Sequence, residues 1–204
     1  MNARALWALI VSPSFYYFGL IAGSLTYPGY SQVTQYASEL GSSEAPYPWL
    51  FNFSIIAYGA ATIFGAYGFW LALSQISNRR LWVSLAVIAL LLWGIAMIIG
   101  GIFPIPDERH GAYGLGLAGQ FTSLFALIAL WRVPNSAGIR AFLAFIFVSS
   151  LIFFVIMMGV GGLVRLDNVG IWQRVNGLFA IPWITVLGLW LLGRVRPDPL
   201  VAAD

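Results

Sequence analysis

The sequence predicts an all-α integral membrane protein, folded as a bundle of six transmembrane helices. Of the 204 residues, 60% are hydrophobic and only 8% are charged, whereas a soluble domain carries about 25% charged residues. The apolar residues form six long runs, and six spans of about 20 residues each, with their loops, account for this length. We therefore expect a single membrane domain over residues 1–204 in contact with the lipid bilayer. The net charge of +3 is scattered over helix ends, so no nucleic-acid partner is expected.

The apolar runs place the six spans in chain order. They cover about residues 5–26, 49–73, 81–102, 112–131, 139–164 and 170–192. The first run is longer than the apolar core of a signal peptide, so we expect it to remain as a span. Pro13 should kink it, and the serines on either side can bond the carbonyl that the proline frees. Gly19 and Gly23 form a GxxxG pattern, which permits a close helix contact. Pro182 should bend the sixth span.

The distribution of arginine predicts the orientation in the membrane. Seven arginines fall at the amino terminus, after the even-numbered spans or in the tail: Arg4, Arg79, Arg80, Arg132, Arg140, Arg194 and Arg196. Three fall on the opposite side: Arg109, Arg165 and Arg174. Because basic loops stay in the cytoplasm, both termini are predicted to be cytoplasmic. The expected location is the cell membrane of a prokaryote.

The first outer loop, residues 27–48, is the longest loop of the chain. Apolar residues recur at helical spacing between Ser31 and Leu40, which predicts a short amphipathic helix. Ser31 is a suitable N-cap for it and Gly41 a suitable stop. Such a helix would lie in the membrane interface, across the mouth of the bundle. Glu39 would then point sideways or toward the bundle.

The second outer loop carries four consecutive ionisable residues, at positions 107–110. If this stretch begins the fourth helix, Asp107 and His110 share a face. A carboxylate beside an imidazole can act as an acid–base pair, with Glu39 assisting. The same residues can equally form a helix cap with a solvated histidine. Both interpretations remain open, and no catalytic residue is assigned.

The third outer segment leads into the sixth span, with Gln173 and Arg174 just past its start. An arginine at that depth must reach back to the surface or meet a carboxylate inside the bundle. The carboxylates available for an ion pair are Glu39, Asp107 and Asp167. Arg174 therefore serves either as a structural clamp between outer loops or as a ligand-binding group.

Polar side chains continue for a short distance below these loops. Asn52, Gln120 and Asn176 lie roughly 6–12 Å into their helices, at 1.5 Å per residue. The cytoplasmic halves hold only scattered serine and threonine, which can bond their own helix. This pattern predicts a polar pocket that opens to the outside and is closed toward the cytoplasm, and argues against a continuous ion path. The predicted ligand-binding set is Glu39, Asn52, Asp107, His110, Gln120, Gln173 and Arg174.

Missing residue types exclude several classes of chemistry. Without cysteine the chain can form no disulfide, iron–sulfur cluster or covalently attached c-type haem. Without lysine it can form no Schiff base. A single histidine excludes a bis-histidine haem and a three-histidine zinc site. We therefore predict no metal site and no cofactor of the protein's own.

Five short motifs occur in order at the outer ends of the spans. They are TyrProGlyTyrSer at 27–31, SerGluLeuGly at 38–41, AlaPro followed by Asn52, PheProxxxAsp at 103–107 with His110, and GlyIleTrpGlnArg at 170–174. In this order the chain resembles the prokaryotic six-helix membrane family catalogued as domain of unknown function 998. The resemblance implies an integral membrane protein with six helices and carries no established activity.

Three functions are compatible with these observations. The first is a protein that binds or organises a lipid-like or amphipathic ligand, such as a lipid head group, in the outer pocket. The second is an accessory subunit of a larger membrane complex, in which His110 could supply one axial ligand to a haem or pigment shared with a partner. The third is an outer-leaflet enzyme that uses Asp107 and His110, for which the sequence offers no recognisable nucleophile.

Overall fold

The computed structural model describes residues 3–195, and in that part of the chain all regular structure is helical. The α-helices are α1 (Ala3–Leu25), α2 (Pro48–Ile76), α3 (Arg80–Ile102), α4 (Leu117–Ala129), α5 (Ala137–Met157), α6 (Val169–Ala180) and α7 (Trp183–Leu192). Six segments are long and apolar enough to cross a membrane, α6 and α7 together forming the sixth. The prediction of an all-α six-span protein is therefore confirmed. Arg196, one of the arginines used for orientation, lies outside the described residues.

Successive spans run in opposite directions, which gives the bundle two distinct ends. We call one the long-loop end, because it carries the connections at residues 26–47, 103–116 and 158–168. The opposite end, where α1 begins and α7 finishes, is the terminal end. There the guanidinium groups bind backbone carbonyls in the connection between α4 and α5: Arg140 donates to the carbonyl of Trp131 at 2.9 Å, and Arg194 to that of Asn135 at 2.8 Å. Such contacts give partners to loop carbonyls that no helical hydrogen bond satisfies.

Two helix boundaries differ from the predicted ones. α4 begins at Leu117, five residues later than expected, because the chain before it forms a 3-10 segment, Glu108–Gly114, with positive φ at Ala112 and Tyr113. α5 ends at Met157 rather than near residue 164. Beyond it three glycines take φ values of 87°, 83° and 63°, at positions 159, 161 and 162. A run of left-handed residues cannot continue a right-handed helix.

The two prolines inside spans have different effects. α1 continues through Pro13, and the Ser12 hydroxyl donates to the carbonyl of Leu9 at 2.8 Å. Since a proline cannot bond the carbonyl four residues earlier, this serine satisfies the group that Pro13 leaves free, as predicted. At Pro182 the sixth span is interrupted: α6 ends at Ala180 and α7 begins at Trp183.

α1 packs closely along α2. A Cβ atom at Gly19 would lie 2.5 Å from the Cβ of Ser54, and one at Gly68 would lie 2.3 Å from the backbone nitrogen of Leu6. Gly23, four residues after Gly19, faces Leu40 in the first long loop. The GxxxG pattern thus marks a real contact surface, since only small residues allow such an approach.

The buried apolar side chains form a large and a small cluster. The large one fills the bundle from its middle to the terminal end and includes Leu6, Leu9, Phe69, Leu73, Leu130, Leu143, Leu187 and Leu191. The small one lies at the long-loop end and contains Ala37, Leu40, Phe51 and Ile55. Half of this small cluster comes from the first loop, so that loop belongs to the packed structure.

Candidate functional site

The first long loop folds differently from the predicted amphipathic helix. Residues 31–36 form turns, and only Ala37–Gly41 is helical, as a 3-10 helix. The carbonyls of Val33 and Gln35 accept hydrogen bonds from α6, from the N–H of Ile171 at 3.1 Å and from Arg174 Nη1 at 2.8 Å. These carbonyls turn toward α6 instead of continuing an α-helix, so the predicted helix over residues 31–40 is wrong.

Gly170 lets this loop approach the amino terminus of α6. A Cβ atom there would lie 2.5 Å from the carbonyl oxygen of Gln35, 2.6 Å from that of Gln32 and 2.8 Å from that of Val33. All three are backbone atoms, so no side-chain rotation can relieve the overlap. The converging oxygens also complement the partial positive charge at the start of α6.

Arg174 fixes the same loop to α6 with its whole guanidinium group. Nη1 donates to the carbonyls of Gln35 at 2.8 Å and Gly170 at 3.0 Å, Nε to the side chain of Gln32, and Nη2 to the hydroxyl of Tyr30. Charge-assisted hydrogen bonds of this kind are stronger than neutral ones. The guanidinium therefore clamps the first long loop to α6.

The three carboxylates proposed as partners of Arg174 bind other groups. Glu39 accepts from the N–H of Tyr36 at 2.7 Å and from the side chain of Gln35 at 2.9 Å. Asp167 lies 3.5 Å from Arg165. Asp107 pairs with Arg109, as described below. The expected carboxylate partner of Arg174 is thus replaced by backbone carbonyls, an amide and a hydroxyl.

Two amide side chains from the predicted set hold the 3-10 helix in place. Gln173 Oε1 accepts from the N–H of Ala37 at 2.6 Å, and Asn52 Nδ2 donates to the carbonyl of Gly41 at 2.9 Å. One amide comes from α6 and the other from α2. The 3-10 helix therefore lies between these two spans, with Ala37 and Leu40 packed into the small apolar cluster.

Asp107 forms an ion pair within the second long loop. Its carboxylate accepts from Arg109 Nη2 at 2.6 Å, from Nε at 2.9 Å and from the backbone N–H of Arg109 at 2.8 Å. These hydrogen bonds favour the charged form and lower the pKa of Asp107 to about 2. The carboxylate thus serves as the cap of the 3-10 segment that follows it.

His110 binds backbone carbonyls at the end of α3. Its Nδ1 atom lies 2.9 Å from the carbonyl oxygen of Phe103 and 3.1 Å from that of Gly100. Because a carbonyl can only accept, Nδ1 carries the proton. In the neutral ring Nε2 is then an acceptor. Asp107 and His110, three residues apart, thus direct their hydrogen bonds to Arg109 and to α3 respectively.

Beneath the loops lies a cavity of about 140 Å³, which we call the long-loop cavity. Its polar lining residues are Tyr16, Ser38, His110 and Gln173; its other lining residues are Ala37, Phe51, Ile55, Ala96, Met97 and Gly100. Of the seven residues in the predicted binding set, His110 and Gln173 line it. Tyr16 and Ser38 were not among the predicted binding residues, because a hydroxyl in an apolar span or a short loop carries no distinctive pattern.

The other predicted residues do not line this cavity. Asn52 and Arg174 bind the first long loop but lie outside the cavity. Glu39 forms its hydrogen bonds within that loop, and Asp107 binds Arg109. Gln120 is buried in α4 and its Oε1 atom has no hydrogen-bond partner, as is also true of Asn176 Oδ1. The expected single polar pocket is thus divided into a loop anchor, a cavity and buried amides.

The cavity offers both donors and acceptors beside an apolar wall. Gln173 uses its Oε1 atom on the loop, which leaves Nε2 as a donor, and the Tyr16 hydroxyl is a second donor. His110 Nε2 is an acceptor when the ring is neutral. Within residues 3–195 there is no group of three or more metal-ligating side chains. This arrangement suits a neutral polar group attached to an apolar one.

A comparison with protein families decides the membership of the chain. The family model described as a protein of unknown function, DUF998, matches residues 10–190. The chain belongs to this family. The DUF998 match extends from α1 to α7 and includes every loop that builds the cavity. No curated protein and no solved structure matches this DUF998 chain significantly.

Proposed function

We propose that this membrane protein binds one end of an amphipathic molecule, such as a membrane lipid, in the long-loop cavity. The observation that carries the proposal is the composition of the cavity wall. Donors and an acceptor from Tyr16, His110 and Gln173 meet apolar side chains from α2 and α3. Ligand sites commonly combine a mostly apolar wall with a few polar groups that fix orientation.

The size of the cavity limits how much of a ligand can enter. Pockets for whole drug-sized ligands measure about 300–1,000 Å³, against about 140 Å³ here. A cavity of about 150 Å³ accommodates a benzene-sized group. The cavity therefore suits a head group fragment or the first part of a chain, while the rest of the molecule stays in the bilayer.

The available hydrogen-bonding groups favour a neutral polar group. Arg174, the natural partner for a phosphate, already donates to four groups of the protein. Gln173, Tyr16 and His110 present two donors and one acceptor, which match an ester or hydroxyl group of a glycerolipid. Asp107 is bound by Arg109, which favours ligand binding over acid–base catalysis by Asp107 and His110.

The proposal places the cavity on the extracytoplasmic side of the membrane. Among the described residues, Arg4, Arg79, Arg80, Arg132, Arg140 and Arg194 lie at the terminal end, whereas Arg109, Arg165 and Arg174 lie at the long-loop end. This excess supports a cytoplasmic terminal end. The amphipathic ligand would then come from the outer leaflet.

Native mass spectrometry of protein extracted gently from its own membrane tests the proposal. Met97 lines the cavity, and a Met97→Trp variant places a larger ring in it. Ile95, two residues away on α3, is 39% exposed and does not line the cavity, so Ile95→Trp is a matched control. We expect the parent and Ile95→Trp to retain an amphiphile that Met97→Trp loses. Equal retention by all three proteins would contradict the proposal.

A further inference from the structure

A second, smaller cavity lies at the interruption of the sixth span. It measures about 10 Å³, and its lining includes Tyr58, Thr62, Trp93, Thr122, Trp183 and Ile184. The lining residues come from α2, α3, α4 and both sides of the α6–α7 break. We call this space the inner cavity. It lies deeper than the long-loop cavity and shares no lining residue with it.

Thr122 brings an unpartnered hydroxyl to the inner cavity. Its side chain is 1% exposed, and its Oγ1 atom has no hydrogen-bond partner. Hydroxyls in membrane helices commonly donate to a carbonyl of their own helix, as Thr62 does to the carbonyl of Tyr58 at 2.8 Å. A buried hydroxyl without a partner is unfavourable in a hydrocarbon environment. Thr122 therefore points to a polar occupant of the cavity.

Hydrogen-bond donors border the same space. The Tyr58 oxygen accepts from Trp93 Nε1 at 2.8 Å, which leaves the tyrosine O–H to be donated elsewhere. α7 begins inside the membrane, and its first backbone N–H groups have no carbonyl one turn earlier in the helix. The N–H of Thr185 donates to the carbonyl of Pro182 at 3.1 Å. The N–H groups of Trp183 and Ile184 precede Thr185 in the chain, so α7 supplies no carbonyl for them. Backbone groups at such depth need a partner.

We propose that one structural water molecule occupies the inner cavity and joins α4 to the start of α7. The water accepts hydrogen bonds from the Tyr58 O–H and the Ile184 N–H, and donates one to Thr122 Oγ1. A volume of about 10 Å³ is at the lower bound for one water. Three hydrogen bonds are the usual number for a buried water. The inference is independent of the amphipathic ligand, since it concerns a different cavity.

The inner cavity lies next to the polar lining of the long-loop cavity. The rings of Tyr58 and Tyr16 are 6.3 Å apart, and Tyr16 lines the long-loop cavity. Toward the terminal end, Phe69, Ala126 and Leu187 are fully buried in the large apolar cluster. The inner cavity thus adjoins the polar lining of the long-loop cavity on one side and the large apolar cluster on the other.

Proton-detected solid-state NMR in lipid bilayers tests the site directly. We expect magnetisation transfer from water to the Ile184 amide in the parent protein and in Thr122→Ser, which keeps the hydroxyl. Thr122→Val has nearly the same shape without the hydroxyl, and should lose the transfer. Absence of the water signal at Ile184 in the parent would overturn the proposal.

The stability of the same variants gives a second, independent test. With a bound water, Thr122→Val removes a hydrogen bond and should lower the ratio of folded to unfolded protein roughly fivefold. In a dry cavity the same change removes an unpaired hydroxyl and should leave the ratio unchanged or raise it. The control is Thr185→Val, whose hydroxyl donates to the carbonyl of Ile10 and does not line the inner cavity, and which should keep the water signal. A Thr122→Val protein at least as stable as the parent would overturn the proposal.

Discussion

Replacing Gly170 by alanine should detach the first long loop from α6. The added Cβ would lie 2.5 Å from the carbonyl oxygen of Gln35, and real Cβ atoms essentially never approach heavy atoms within 3.0 Å. The loop must therefore retreat by at least 0.5 Å, the difference between these two distances. This movement stretches the hydrogen bond from Ile171 to Val33, which is already 3.1 Å long, and the bond from Arg174 to Gln35.

The cost can be worked out from these contacts. Overpacking against rigid backbone costs about 1–3 kcal/mol, and one weakened hydrogen bond adds about 1 kcal/mol. The higher helix propensity of alanine returns up to about 1 kcal/mol. We therefore expect Gly170→Ala to lower the free energy of unfolding by about 1–4 kcal/mol.

Gly177 provides a matched control on the same helix. A Cβ atom there would meet Ile181 Cδ1 at 3.8 Å and the Tyr16 hydroxyl at 3.9 Å, which are ordinary contacts. Gly177→Ala should be neutral or stabilising by up to about 1 kcal/mol. Unfolding in mixed micelles measures both variants. Chymotrypsin, which cleaves after tyrosine, should cut the loop at residues 27–47 faster in Gly170→Ala alone. Equal stability and equal cleavage in the two variants would refute the reasoning.

Three further predictions concern individual polar contacts. Arg174→Met should accelerate chymotrypsin cleavage of the first loop and lower the free energy of unfolding by about 1.5–3 kcal/mol, the usual contribution of hydrogen bonds to a charged group. Arg174→Lys should restore little of this stability, because lysine lacks the planar set of donors of arginine. Full restoration by lysine would contradict the role of Arg174 as a clamp. The carboxylate of Asp107 should titrate by NMR near pH 2 in the parent and closer to its usual pKa of about 3.9 in Arg109→Gln. Because folding lowers this pKa, the ionised carboxylate stabilises the folded protein above pH about 4, and that stabilisation is lost as the pH falls toward 2. Ser77→Ala should lower the free energy of unfolding by about 1 kcal/mol or more, because the buried hydroxyl of Ser77 donates to the carbonyl of Ala129 at 2.6 Å. A chemical denaturation curve with an unchanged midpoint would contradict this.

The spans were predictable because membrane helices follow composition directly. Long apolar runs separated by polar loops have one solution in a bilayer, and every predicted span corresponds to a helical segment. The bond of Ser12 beside Pro13 was also predictable, since the helix repeat fixes which carbonyl a proline frees, whereas Ser14 bonds the carbonyl of Val11 instead. The late start of α4 was not, because the backbone turn at Ala112 and Tyr113 gives no signal in apolar periodicity.

The sequence predicts the region of the candidate site but not the arrangement of its residues. Gln173 and His110 line the cavity, as expected for polar residues near the long-loop ends of the spans. The fold of the first loop was predicted incorrectly. Helical spacing in residues 31–40 gives way to contacts with Ile171 and Arg174, which lie far later in the chain. Local sequence cannot reveal that Gly170 leaves space for backbone carbonyls of that loop.

Photocrosslinking with a lipid that carries a photoreactive group near its ester is the most direct test of the proposed binding site. Mass spectrometry of the digested protein identifies the labelled residues. We predict labelling concentrated on the walls of the long-loop cavity, at Phe51, Ile55 and Met97, and suppressed in Met97→Trp. Labelling spread evenly over lipid-facing residues such as Phe18 and Phe53, and unchanged in that variant, would contradict the account.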